Sequence, residues 1–150
     1  MRRDYEGLMS RIEVHPDRDR AARAFVDITW EALHATGISW LGFYLHGSAD
    51  ALVLGPCRNK PACSPIGMYG ACGRALSGRR VVLVHDVSEL GENYIACDPR
   101  DRSELVIPLF DRAGGCWGVF DADSHAVGAF SEADAEGFTA LLRKAGLTHP

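Results

Sequence analysis

The sequence predicts an α+β domain: one antiparallel sheet with the terminal helices packed mainly on one face. Three observations carry that reading. Apolar residues recur at helical spacing near both ends of the chain. Short β-type runs lie between them. Several of those runs are joined by turns too short for a parallel crossover. The length of 150 residues suits a single domain over 1–150, and no repeat or linker interrupts it.

The elements follow in order. A short helix is predicted over Tyr5 to Ile12. Asp17 to Thr36 carries Ala22, Phe25, Val26, Thr29 and Leu33 at helical spacing, and Gly37 supplies the stop. Ser39 to Leu45 and Ala51 to Gly55 form a hairpin across the turn His46 to Asp50. Pro56 to Met68 holds three prolines and is predicted to be a loop. Gly70 to Ser77 is a short helix, and Val81 to His85 a strand. Asp86 to Arg102 lacks periodicity and is predicted to be irregular, a length of loop that usually serves function. Ser103 to Phe110 and Gly115 to Asp123 form a second hairpin around Asp111 to Gly114. Ser131 and Asp134 have the form of a capping box for a last helix reaching Lys144.

Composition excludes several classes of function. Hydrophobic residues make up 47% and charged residues 24%, which argues against disorder. The formal net charge is -4 with no basic stripe, so nucleic acid is not an expected partner. No apolar run approaches the roughly 20 residues that cross a bilayer. The N-terminal segment lacks the apolar centre of a secretory leader, so the reading is cytoplasmic.

Five cysteines, Cys57, Cys63, Cys72, Cys97 and Cys116, are the informative feature. An odd number in a reducing compartment speaks against a disulfide framework. Inert buried thiols, a metal site and redox chemistry remain open. Cys57, Cys63 and Cys72 lack the tight Cys-x-x-Cys pairing of most zinc sites, so no metal is expected. Cys97 lies on the long loop beside Asp98, where a reactive group held by a rigid scaffold would sit. It is equally a residue type that fills cores. Cys72 opens the short helix, where the local dipole favours a thiolate. Cys116, inside a hairpin strand, reads as a core thiol.

Asp121 and Asp123 alternate on one strand and so share a face, and Glu104 opens the neighbouring strand. Three clustered carboxylates raise at least one pKa. One can stay protonated to donate a proton while another holds a substrate ammonium. Solvated turn-capping aspartates are the alternative. Trp40 and Tyr44 share a face of the first strand, lining a pocket or filling the core.

Together, Leu52-Val53-Leu54-Gly55-Pro56, Ala62-Cys63, Gly70-Ala71-Cys72-Gly73, Ile95-Ala96-Cys97-Asp98, Ser103-Glu104-Leu105-Val106 and Asp121-Ala122-Asp123-Ser124 resemble the free methionine-R-sulfoxide reductases, which are stand-alone GAF domains. The likeness covers Ser39 to Phe138. It implies a GAF-like fold and reduction of free methionine-R-sulfoxide, or a similar small sulfoxide, without a cofactor. It implies Cys97 as nucleophile, Cys63 as resolving partner and Cys72 as a second resolving or recycling thiol. It also implies Glu104, Asp121 and Asp123 as substrate-binding or activating groups, with Trp40 and Tyr44 in the pocket. A thioredoxin-like reductant and a homodimer come with the resemblance. The chain departs from the pattern where Asn93-Tyr94 stand in place of Gly-His before the Ile-Ala-Cys-Asp run. A non-catalytic GAF module sensing a small ligand or redox state is the alternative function, because fold alone does not fix activity.

Overall fold

The computed structural model describes residues 2–59, 62–93 and 97–150. Pro61 of the proline-rich loop, Tyr94, and the Ile95-Ala96 pair of the Ile-Ala-Cys-Asp run lie outside the described residues. Helices α1 (Tyr5–Leu8) and α2 (Arg18–Leu33) precede strands β1 (Trp40–Ser48), β2 (Ala51–Arg58) and β3 (Ile66–Gly67). Helix α3 (Ala71–Gly78), strands β4 (Val82–Val84), β5 (Ser103–Phe110) and β6 (Cys116–Ser124), and helix α4 (Glu132–Lys144) follow. The sheet has six strands in the order β3-β2-β1-β6-β5-β4, every neighbouring pair antiparallel.

Strand alternation divides the interior in two. Leu41, Phe43, Leu105, Ile107, Leu109, Phe120 and Ala122 face α1, α2 and α4. Trp40, Tyr44, Leu52, Val106 and Val119 face the other way, toward α3. The first core is built on aromatic pairs: Phe25 meets Phe120 edge-on at 5.4 Å between ring centroids, and Phe120 meets Phe138 in a tilted pair at 4.9 Å. Helix α2 runs on into a single 3-10 turn, His34–Thr36, which stops at Gly37 with φ 102°, a left-handed conformation natural to glycine. No helix among the described residues is long and apolar enough to cross a membrane.

The proline-rich segment departs from expectation. Strand β2 continues through Pro56 to Arg58 because the pairing slips there: Tyr44 opposes Leu54, while Gly42 opposes Cys57. That bulge accommodates a residue with no N–H to donate. Ile66–Gly67 then pairs with Ala51 and Leu52 as a two-residue edge strand, too short to leave a periodic signal.

The N-terminus is stapled to α4 through one carboxylate. Asp134 Oδ1 accepts from Tyr5 Oη at 2.6 Å and from Arg3 Nη1 at 3.0 Å, while Oδ2 accepts from Ser131 N at 2.9 Å to complete the capping box. Burial pushes the Asp134 carboxyl up. The bonds from Tyr5, Ser131 and Arg3 outweigh it and hold the carboxyl below its ordinary value. A depressed carboxyl stabilises the fold above the unfolded value of about 3.9, and that contribution is lost as pH falls through the folded value. Replacing Asp134 by Ala leaves the buried Arg3 guanidinium bonded to Thr36 and the Ala129 carbonyl but without its ion-pair partner. It is expected to cost about 3–5 kcal/mol at pH 7 in urea unfolding. The difference from wild type should shrink in the same measurement at acid pH.

Candidate functional site

The sheet register gathers three acidic side chains at one end of adjacent central strands. Glu104 of β5 pairs with Asp123 of β6, and Asp121 pairs with Val106 one alternation further. Across the other edge of β6, Trp40 opposes Asp123 and Gly42 opposes Asp121. All three carboxyls therefore lie on the α3 side with Trp40 and Tyr44. Glu104 is 8% exposed and Asp121 is 4% exposed.

Glu104 lies within hydrogen-bonding reach of both Asp121 and Asp123. Two carboxyl groups share a hydrogen bond only when a proton sits between them. Burial pushes all three upward. Asp121 and Asp123 rise further because each faces the other acidic groups, while the hydrogen bonds to the aspartates partly restrain Glu104. The cluster is thus a proton store whose acids give up their protons reluctantly. Asp121 Oδ1 and Trp40 Nε1 are both buried with no hydrogen-bond partner among the described residues. In a folded interior such groups call for an occupant.

Above the carboxyls, Cys63 and Cys97 form a disulfide across 34 residues of sequence, with Cα atoms 5.5 Å apart. The Tyr44 hydroxyl donates to the Cys63 carbonyl at 2.8 Å, tying that loop to β1. On the other loop, Asp98 caps its own turn. Its Oδ1 accepts from Arg100 N and Nε, and its Oδ2 accepts from Arg100 Nη2, all at 3.0 Å. Arg100 therefore serves Asp98. Those bonds, the Arg100 side chain foremost, hold the Asp98 carboxyl well below the usual range against the opposing effect of burial.

Trp40, Tyr44, Cys72, Cys97 and the three carboxyls enclose a cavity of about 40 Å³. No Lys, Arg or His lines it among the described residues. The eight predicted site residues converge on this one place: Cys63 is bonded to Cys97 there, and the other seven are in its wall.

Cys72 corrects one expectation. It stands in the first turn of α3, where the dipole would favour a thiolate. Burial, followed by the charges of Asp121, Glu104 and Asp123, instead pushes the thiol well above its ordinary value. A half-charge at a helix end does not overcome three facing acids in a dry site. The thiol is held in place by its neighbour: a Cβ on Gly73 would collide with the Met68 carbonyl, so α3 seats against that backbone only with glycine there. Cys116 is half-buried, its thiol donating to the Gly118 carbonyl at 3.4 Å.

Asp101 is a wall residue that the sequence reading passed over. It is 8% exposed and accepts from Ser39 Oγ at 3.0 Å. Burial, with Asp98 and Glu104 nearby, pushes it up to about 6 against the opposing effects of Ser39 and His125. Its only local signal was the Asp98-Pro-Arg-Asp101 turn, closed by Asp101 N donating to Asp98 O at 3.1 Å. Among the described residues, two groups place three donor atoms within 4.8 Å of one another, Cys72 with Glu104 and Asp121, and Asp98 with Asp101 and His125. In the second, the His125–Asp98 and Ser39–Asp101 hydrogen bonds already engage donors that a cation would need; in the first, burial favours the protonated thiol and carboxyls, which are poor cation ligands.

Comparison with known proteins agrees with this geometry. The GAF domain family matches residues 17–148. The free methionine-R-sulfoxide reductase of Escherichia coli is 40% identical over 109 residues, 71% of this chain and 64% of that protein. The match thus spans less than two thirds of that relative's length. The structure of free methionine-R-sulfoxide reductase from Neisseria meningitidis in complex with its substrate superposes with a TM-score of 0.82 at 33% identity. It covers 95% of this chain and 83% of that one. The fRMsr of Staphylococcus aureus in complex with substrate gives 0.83 at 31% identity, covering 96% and 94%. The chain belongs to the free methionine-R-sulfoxide reductase family of GAF domains.

Proposed function

We propose that this protein reduces free methionine-R-sulfoxide to methionine, with Cys97 as nucleophile and Cys63 as resolving thiol. The observation that carries the proposal is the Cys63–Cys97 disulfide lying over a pocket of buried, proton-sharing carboxyls. In the reduced enzyme Cys97 attacks the sulfoxide. The sulfur–oxygen bond breaks, oxygen passes to Cys97 as a sulfenic acid, and methionine leaves reduced by two electrons. The Cys63 thiol then displaces that oxygen as water and forms the disulfide. The sum is a sulfoxide and two thiols giving a sulfide, a disulfide and water. A thioredoxin-like dithiol returns two electrons by exchange.

The carboxyls divide the remaining work. A protonated member of Glu104, Asp121 and Asp123 donates to the sulfoxide oxygen as charge develops on it. The unpartnered Asp121 oxygen is suited to the substrate ammonium, and Trp40 and Tyr44 to the apolar chain. Peptide-bound methionine lacks that ammonium and would leave the acid unpaired. The reading extends to residues 1–150 as one domain, a cytoplasmic site of action and a homodimer. Cys72, whose thiol resists ionisation, is assigned to recycling after the first disulfide has formed.

Turnover of the R epimer, followed as NADPH consumption through a thioredoxin system, should vanish in Cys97→Ser. Cys63→Ser should complete one reduction and then stall with a dimedone-reactive sulfenic acid on Cys97. A folded, reduced wild type that binds but never turns over would replace this reading with the sensor one.

Glu104→Gln is expected to lower kcat by on the order of 100-fold yet raise the melting temperature of the ligand-free protein. A carboxyl raised by folding favours the native state below its folded pKa and disfavours it as pH climbs through that value. The gain in melting temperature should therefore grow as pH rises above the unfolded carboxyl value of roughly 4.3. An unchanged or lower melting temperature would contradict a strained acid cluster.

In the oxidised protein Cys72 should resist iodoacetamide at pH 7, read by mass spectrometry of the labelled peptide, and react once the chain is unfolded in urea.

A further inference from the structure

We propose that Asp101 and His125 form a proton relay between solvent and the catalytic pocket, an inference that rests on the reductase reading. Cys97 attacks as a thiolate whose proton has left for solvent, so the buried acid that protonates the sulfoxide oxygen must regain a proton from solvent before the next turnover.

Asp101 spans the wall. It lines the cavity on one side, and on the other its Oδ1 lies 3.6 Å from His125 Nε2. The His125 side chain is 43% exposed and is the described group that carries this contact to solvent. A spacing of 3.6 Å is longer than a hydrogen bond, and a small swing of the half-exposed ring, or one bridging water, closes it. Catalytic contacts of this kind commonly tighten only when substrate is bound.

The neighbours divide into carriers and anchors. Asp98 Oδ2 holds His125 Nε2 at 3.2 Å, but the Arg100 guanidinium keeps Asp98 ionised, so it anchors the ring and does not exchange protons itself. Ser39 donates to Asp101 from the start of β1 and fixes its orientation. Glu104 faces Asp101 on the pocket side, and Asp123 feels its charge. His34 lines the same surface hollow as His125. Asp101, raised to about 6, takes and gives protons in the range where an imidazole does the same. The sequence of transfers is imidazolium to Asp101 carboxylate, Asp101 to the ionised member of the Glu104–Asp123 pair, and solvent back to the imidazole. No electrons move in it.

The test uses the full chain with three variants. Asp101→Asn keeps the Ser39 bond but carries no proton. It should lower kcat on the order of 10-fold with KM within about twofold, and raise the solvent deuterium isotope effect. His125→Ala should lower kcat similarly, and added imidazole should restore it. Ser39→Ala, which frees the Asp101 carboxyl to reorient, should lower kcat by less than Asp101→Asn does. A separate NMR titration of the His125 ring, needing no substrate, should show a lower midpoint in Asp101→Asn than in wild type. An inactive wild type would overturn the reductase reading alone. An unmoved His125 midpoint, or a loss in His125→Ala that imidazole does not recover, would overturn the relay.

Discussion

Burying three carboxyl groups against one another is the constraint around which the rest of the structure is arranged. Isolated, each would cost several kcal/mol to take out of water as an ion. Together they settle the matter by retaining protons. Such an arrangement persists only on a support that cannot relax away from it. Strands β1, β6 and β5 supply that support, since their far faces are pinned by the aromatic core around Phe25, Phe43, Phe120 and Phe138. A one-residue slip of β6 against β5 would turn Asp121 and Asp123 into that apolar core, so the hydrophobic pattern fixes the acid positions as firmly as it fixes the fold.

The two disulfide-bearing loops stand in a different relation to the scaffold. Neither Cys63 nor Cys97 is on a regular element. The Tyr44 hydroxyl and the Ser64 hydroxyl, which accepts from Leu54 N, tie the first loop to the sheet, and the hydrogen-bonded Asp98 turn supports the second. The acids thus sit on paired strands and the thiols on connecting loops. That division suits a cycle in which the sulfurs change partners and the carboxyls do not.

Much of this could be read from the chain because the informative residues obey simple periods. The alternation of Asp121 and Asp123, the opening position of Glu104 and the run from Ser103 to Phe110 all follow the two-residue repeat of a strand. Ser131 with Asp134 follows the spacing of a helix start. What escaped notice depends on distance in sequence. The bulge at Pro56 exists because β1 is alongside to absorb it. The high pKa of Cys72 comes first from burial and then from Asp121 and Glu104, far along the chain, and together these override the local dipole. Asp101 becomes a wall residue only once β1 and the loop after β6 close around it, and nothing in its own neighbourhood announces that.

One feature of α3 bears on how this chain can change over evolutionary time. The seat of that helix against the Met68 carbonyl is defined by a missing methyl group at Gly73. Any larger residue there would lift the whole helix and carry the adjoining sulfur with it. The location of Cys72 is thus encoded in the emptiness of the next position. A lineage could lose the geometry of this thiol while its cysteine remained intact, and a catalogue of cysteines alone would miss the loss.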